Sequence, residues 1–92
     1  MSKMTDTQFG VLYKMVAGWR LRSSMAPARV WLASPKSVTV LNKGTLRALS
    51  RNLWVTQIEM KWPILRWELT GQGREALRQE EIKRGAVLRG RA

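Results

Sequence analysis

The sequence has no cysteine and no histidine, a single phenylalanine, a single tyrosine, and only six acidic residues in 92. Without cysteine there is no disulfide framework and no thiolate metal site. Without histidine the usual neutral-pH general base and the imidazole metal ligand are missing as well. The carboxylates Asp6, Glu59, Glu68, Glu75, Glu80 and Glu81 stand at no spacing that suits acid–base work. Glu80 and Glu81 suit ion pairing along a helix with Arg78, Lys83 or Arg84 instead. Gly71-Gln72-Gly73 lacks the Lys-Ser/Thr of a phosphate loop. Catalysis is therefore not expected, nor is a cofactor or a bound metal. No apolar run approaches the roughly 20 residues that cross a bilayer, and Met1-Ser2-Lys3-Met4-Thr5-Asp6 lacks the apolar stretch of a signal peptide. The expectation is a cytoplasmic protein that does not engage membranes.

What the chain does have is positive charge and tryptophan. Seventeen Lys and Arg leave a formal charge of +11, and five tryptophans accompany a 45% apolar composition. That apolar content supports one folded domain, expected over residues 1–85 with a basic tail at 86–92, and not a disordered basic segment. Charge this unbalanced repels itself in a free monomer and is best answered by a polyanion, with nucleic acid the commonest.

Thr5-Asp6-Thr7 offers N-cap side chains ahead of Phe9, Leu12, Met15, Val16 and Trp19, whose spacing predicts a helix that Gly18 stops. Trp19 to Ser23 alternates apolar and polar as a strand does. Val30-Trp31-Leu32 suits its antiparallel partner, although Pro27 could instead open a short helix running to Ala33. Ser34-Pro35-Lys36-Ser37 breaks the chain. Asn42 caps a second helix over Thr45–Arg51 with Leu46, Leu49 and Leu53 placed for burial, and Asn52 stops it. Trp54, Thr56, Ile58 and Met60 share one face of a strand. A return strand at Leu65–Leu69 pairs with it in a register that sets Met60 against Leu65, Ile58 against Trp67 and Glu59 against Arg66 around the loop Lys61-Trp62-Pro63-Ile64. Thr70 caps a last helix that Gly85 ends. Trp19, Trp31, Trp54 and Trp67 all fall on apolar faces, which favours core packing over stacking on single strands.

Thr45-Leu46-Arg47-Ala48-Leu49-Ser50-Arg51-Asn52-Leu53-Trp54-Val55 resembles the recognition-helix segment of winged helix-turn-helix proteins. Leu69-Thr70-Gly71-Gln72-Gly73-Arg74-Glu75-Ala76-Leu77 is similar to the Leu-Thr-x-x-Gly-Arg segment that follows the second wing strand in that family. The resemblance implies an α+β winged-helix-like domain with three helices, a short N-terminal hairpin and a β-ribbon wing. It departs from the family across residues 26–40, where a supporting helix is usual and prolines and β-branched residues stand instead. Its overall look is that of a small phage or mobile-element protein.

The function this implies is double-stranded DNA binding, as a small transcriptional regulator acting in the host cytoplasm if phage-encoded. The alternative is an inhibitor or adaptor of the same fold that binds a host protein or ribonucleoprotein. Asn42, Lys43, Thr45, Arg47, Ser50 and Arg51 supply donors suited to phosphates and base edges, and Lys61 and Trp62 stand at the wing tip. A homodimer joined through the first or last helix fits both readings.

Overall fold

A computed structural model describes residues 4–89, with side chains up to Gly85. The first helix, α1 (Asp6–Val16), opens with a capping box in which the Thr5 side chain accepts from the Gln8 amide and the Gln8 side chain accepts from the Thr5 amide. It closes on Gly18, whose φ of 108° is a left-handed conformation that favours glycine. The Gly18 amide donates to the Met15 carbonyl and the Trp19 amide to that of Lys14, the paired bonds of a Schellman ending. Most of the expected stripe is kept: Leu12 is fully buried and Phe9, Met15 and Trp19 pack against the core, but Val11 joins them while Val16 is 51% exposed.

Five strands follow: β1 (Arg20–Met25), β2 (Ala28–Ala33), β3 (Val38–Leu41), β4 (Val55–Lys61) and β5 (Ile64–Leu69). They form one antiparallel sheet in the order β3-β2-β1-β5-β4. Residues 28–33 are therefore strand, and the rival short helix after Pro27 is absent. The β1–β2 hairpin and the β4–β5 ribbon are not separate pieces. β1 pairs with β5, Leu21 against Trp67 and Ser23 against Leu65, fusing them. Both hairpin tips, Ala26-Pro27 and Trp62-Pro63, consequently lie side by side, with the Met25 amide donating to the Pro63 carbonyl.

The ribbon keeps the expected Met60–Leu65 and Glu59–Arg66 pairs, but Trp67 faces Gln57, because a bulge makes Ile58 an extra residue. The bulge reverses the side on which the earlier residues of β4 point, so Val55 is 2% exposed and Thr56 faces solvent. The turn is also tighter than the four-residue loop expected, since Lys61 pairs with Ile64.

The second helix, α2 (Lys43–Arg51), is capped by Asn42, whose side chain accepts from the Gly44 amide at 2.7 Å. It ends in another Schellman pair, Leu53 amide to Ser50 carbonyl and Trp54 amide to Leu49 carbonyl. Here the left-handed residue is not Asn52 but Leu53, at φ 60°. That backbone turn throws the Leu53 side chain outward, 61% exposed, where the spacing predicted burial.

The third helix, α3 (Gly71–Arg89), starts against this turn. Thr70 donates through its hydroxyl to the Leu53 carbonyl and through its amide to that of Trp54, and its hydroxyl accepts from the Gly73 amide. A Cβ on Gly73 would stand 2.1 Å from the Trp54 carbonyl oxygen, so only glycine admits this contact. Gly85 does not end the helix, which runs on to Arg89 and so into the segment expected to be a tail. Residues 90–92 of that tail lie outside the described residues.

All three helices pack on one face of the sheet. Leu12, Leu49 and Leu77 meet Leu21, Val30, Leu32, Val55 and Leu69 there. Full burial of a leucine such as Leu12 or Leu49 contributes about 2 kcal/mol. The one buried polar side chain described, Ser23, accepts from the Trp67 indole at 3.0 Å. The opposite face, bearing Arg22, Trp31, Val38, Val40, Ile64 and Arg66 by register, carries none of the core-forming residues among those described. Trp31 thus stands outside the core that its alternation suggested, whereas Trp54 is buried and Trp19 and Trp67 pack against it. Among the described residues no helix is long and apolar enough to cross a membrane.

Candidate nucleic-acid interface

Lys43, Arg47 and Arg51 recur every four residues on α2, and all three are exposed. Each step advances about 6 Å along the helix axis, so the three cations form one row spanning roughly 12 Å. Leu49 on the other side of the helix is fully buried and fixes the row's direction.

The row borders a groove of about 450 Å³ between α2 and the hairpin end of β1 and β2. Ser50 and Leu46 complete its helical wall, and Ser23, Ala28, Val30 and Trp67 form its floor. Arg29 also lines its edge, but by register its side chain shares the helix-free face with Trp31.

Among the described residues no acid pairs with this charge. Between Asp6 and Glu59 the chain contains neither Asp nor Glu. The ion pairs among the described residues all lie elsewhere: Arg66 with Glu59 at 3.1 Å, Arg78 with Glu75 at 3.0 Å, and Arg84 with Asp6 at 2.9 Å and Glu80 at 3.6 Å. Arg84 also stacks over Phe9 at 4.2 Å, tying α3 to α1. At Glu75, hydrogen bonds from Arg78 and Gln79 hold the carboxyl well below its usual range, at about 2. By register Glu59 and Glu68 share the helix-free sheet face with Arg66, so neither projects toward the groove.

The eight residues singled out from the sequence separate into groups. Lys43, Arg47, Ser50 and Arg51 meet along the groove. Asn42 spends its side-chain oxygen on the helix cap, and Thr45 is half-buried with its amide bonded to the Asn42 carbonyl. Lys61 and Trp62 sit at the tip of the β4–β5 hairpin, outside the groove lining, with Trp62 68% exposed. Ser23, Ala28, Val30 and Trp67 on the floor were not among them, since nothing local in the sequence ties them to α2. No family model, curated protein or solved structure matches the chain.

Proposed function

We propose that this protein binds double-stranded DNA as a small, cytoplasmic transcriptional regulator of phage or mobile-element type. In this reading the domain is a variant winged helix in which β2 and β3 replace the supporting helix. α2 faces the duplex and the β4–β5 hairpin is the wing. The observation that carries the reading is the row Lys43, Arg47 and Arg51 along a groove that, among the described residues, no carboxylate lines.

Each cation that neutralises a phosphate releases a counterion. Three such contacts give a slope of about −2.7 in log affinity against log salt. The amides that open α2 add a positive dipole end suited to a phosphate. Ser50 and Arg47 supply donors for base edges where the helix enters a major groove.

The test is a salt-titrated anisotropy assay on random duplex, single-stranded DNA and RNA. Duplex is expected to bind tightest, and Arg47→Ala or Arg51→Ala to weaken it about tenfold each with a shallower salt slope. Arg78→Ala, whose guanidinium is engaged by Glu75, should leave affinity unchanged. Equal losses at all three positions would reduce the binding to general charge attraction and reject α2 as the contact surface.

A second reading draws on a different observation. Met25, Met60 and Trp62 are 52%, 56% and 68% exposed at the same hairpin end of the sheet. Flexible methionines beside an exposed tryptophan suit a protein partner, so an inhibitor or adaptor bound to a host protein or ribonucleoprotein is the competing function. Recovery of a stoichiometric protein from nuclease-treated host lysate, with no duplex shift at physiological salt, would favour it.

A further inference from the structure

The sheet has two outer strands, and they are built differently. β4 carries the Ile58 bulge and the charged Glu59 and Lys61, features that discourage another strand from pairing alongside. β3 carries no charge, proline or bulge. It lies within Ser37–Asn42, an uncharged strip in a chain of +11. Val40 is the most exposed large apolar side chain described, at 75%, with Val38 at 62%. Both share the helix-free face with Trp31, whose register partner is Val40.

The hydrogen-bond phase of this strand is also fixed. The Ser34 amide donates to the Ser37 carbonyl at the β2–β3 turn. Bonded pairs alternate along an antiparallel ladder, so Leu32–Thr39 and Val30–Leu41 are the next ones. The N–H and C=O groups of Val38 and Val40 therefore point away from β2 and out of the sheet.

We propose that β3 pairs antiparallel with β3 of a second copy about a two-fold axis at Thr39, joining the two sheets into one. In this register Val38 exchanges both backbone bonds with the partner's Val40, and Thr39 faces its own symmetry mate at a non-bonded position. The outward amides of both strands meet in phase. Trp31, Val40 and the partner's Val38 then form one apolar row on the helix-free face.

A second copy is the occupant for three reasons. Val38-Thr39-Val40 reads the same in both directions, so two-fold pairing sets valine against valine. Lys36 falls opposite the partner's Asn42 and Lys43 opposite the partner's Pro35, so no like charges are directly opposed across the ladder. This uncharged strip is also where two strongly cationic chains approach at the least electrostatic cost. Helix-mediated dimerisation has less to use, since α1 and α3 are engaged with each other through Arg84, Asp6 and Phe9. The short interface falls below about 1,200 Å², which makes the dimer weak and concentration-dependent.

The inference stands independently of duplex binding. Sedimentation equilibrium of the full chain should show a reversible dimer that tightens as salt screens the net charge, the reverse of the salt effect on DNA. Val40→Lys should raise the dissociation constant about tenfold or more while circular dichroism melting stays near wild type, because the position is exposed. The absence of cysteine gives a second measurement. Thr39→Cys should cross-link readily under mild oxidation, since facing Cβ atoms in such a pair lie about 4.5–5.5 Å apart. Thr56→Cys on β4 should not. A wild-type chain that stays monomeric at every concentration and salt overturns the proposal. So does a Thr39→Cys protein that cross-links no faster than Thr56→Cys. Monomers that instead take up an extended peptide along β3 also overturn it and give the edge to another occupant.

Discussion

α2 and α3 are both basic helices, and the end of one is bonded to the start of the other, yet they dispose of their charge in opposite ways. On α3, Arg78 is matched by Glu75, and Arg84 by Glu80 and by Asp6 from α1. On α2, Lys43, Arg47 and Arg51 meet no carboxylate among the described residues and line one groove together. A net charge of +11 is thus not spread evenly over the surface. Where acids are interleaved the cations are locally neutralised, and where acids are absent the charge is left for a ligand. Count alone does not identify a binding surface; the pairing does.

The largest effect is expected at the joint between the two helices. Helix propensity favours Gly73→Ala by about 1 kcal/mol. The added Cβ would instead collide with the Trp54 backbone, at 2.1 Å from its carbonyl oxygen. The helix start must then move off the turn, at a cost of about 3 kcal/mol, or roughly 10–20 °C of melting temperature. Thermal melting decides the sign. An unchanged or raised melting temperature would separate the two helices as independent units and break the comparison.

Next in size is the contrast in duplex affinity between Arg47→Ala or Arg51→Ala and Arg78→Ala. About tenfold losses on α2 against none on α3 would sharpen the distinction between unmatched and matched cations.

Much of the local architecture was legible in the sequence, and the reasons are local. Thr5, Asn42 and Thr70 cap helices through contacts within a few residues, and Gly18 is a stop that only its own backbone requires. Of the candidate site, Lys43, Arg47, Ser50 and Arg51 were legible for the same reason, since helical spacing alone gathers them on one side. What escaped depends on distant partners. The β1–β5 pairing that fuses two hairpins leaves no trace in the period of either strand. β3 is too short a run for alternation to stand out. The Ile58 bulge shows only when the ladder is counted against β5. The groove floor of Ser23, Ala28 and Val30 forms only because β1 and β2 fold back beside α2. Gly85 failed as a stop because its cost of about 1 kcal/mol does not by itself end a helix.

A smaller stabilising change is expected where α2 ends. α1 ends on Gly18 at φ 108°, the residue suited to that conformation, whereas α2 ends on Leu53 at φ 60°. A left-handed leucine costs about 1 kcal/mol or more relative to glycine, and its exposed side chain contributes little packing in return. Leu53→Gly is therefore expected to raise stability by about 0.5–1 kcal/mol in denaturant titration. A loss would show that the Leu53 side chain makes a contact beyond those of the isolated chain.

The smallest effect concerns acid. The Glu75 carboxyl is depressed from 4.5 to about 2 by its hydrogen bonds to Arg78 and Gln79. A carboxyl whose folded-state value lies below its unfolded one stabilises the fold above the unfolded value, and that support drains away as pH falls through the folded one. The window is thus pH 4.5 down to about 2. Glu75 is exposed, so salt should weaken the effect and its size should be slight. Glu75→Gln is expected to flatten the melting temperature between those two pH values at low salt. Arg47→Ala should leave the same profile in place, because α2 has no acid for its cations to depress. If Arg47→Ala flattened the profile as well, a carboxylate would have to pair with α2 in solution, and the groove would lose its claim to unmatched charge.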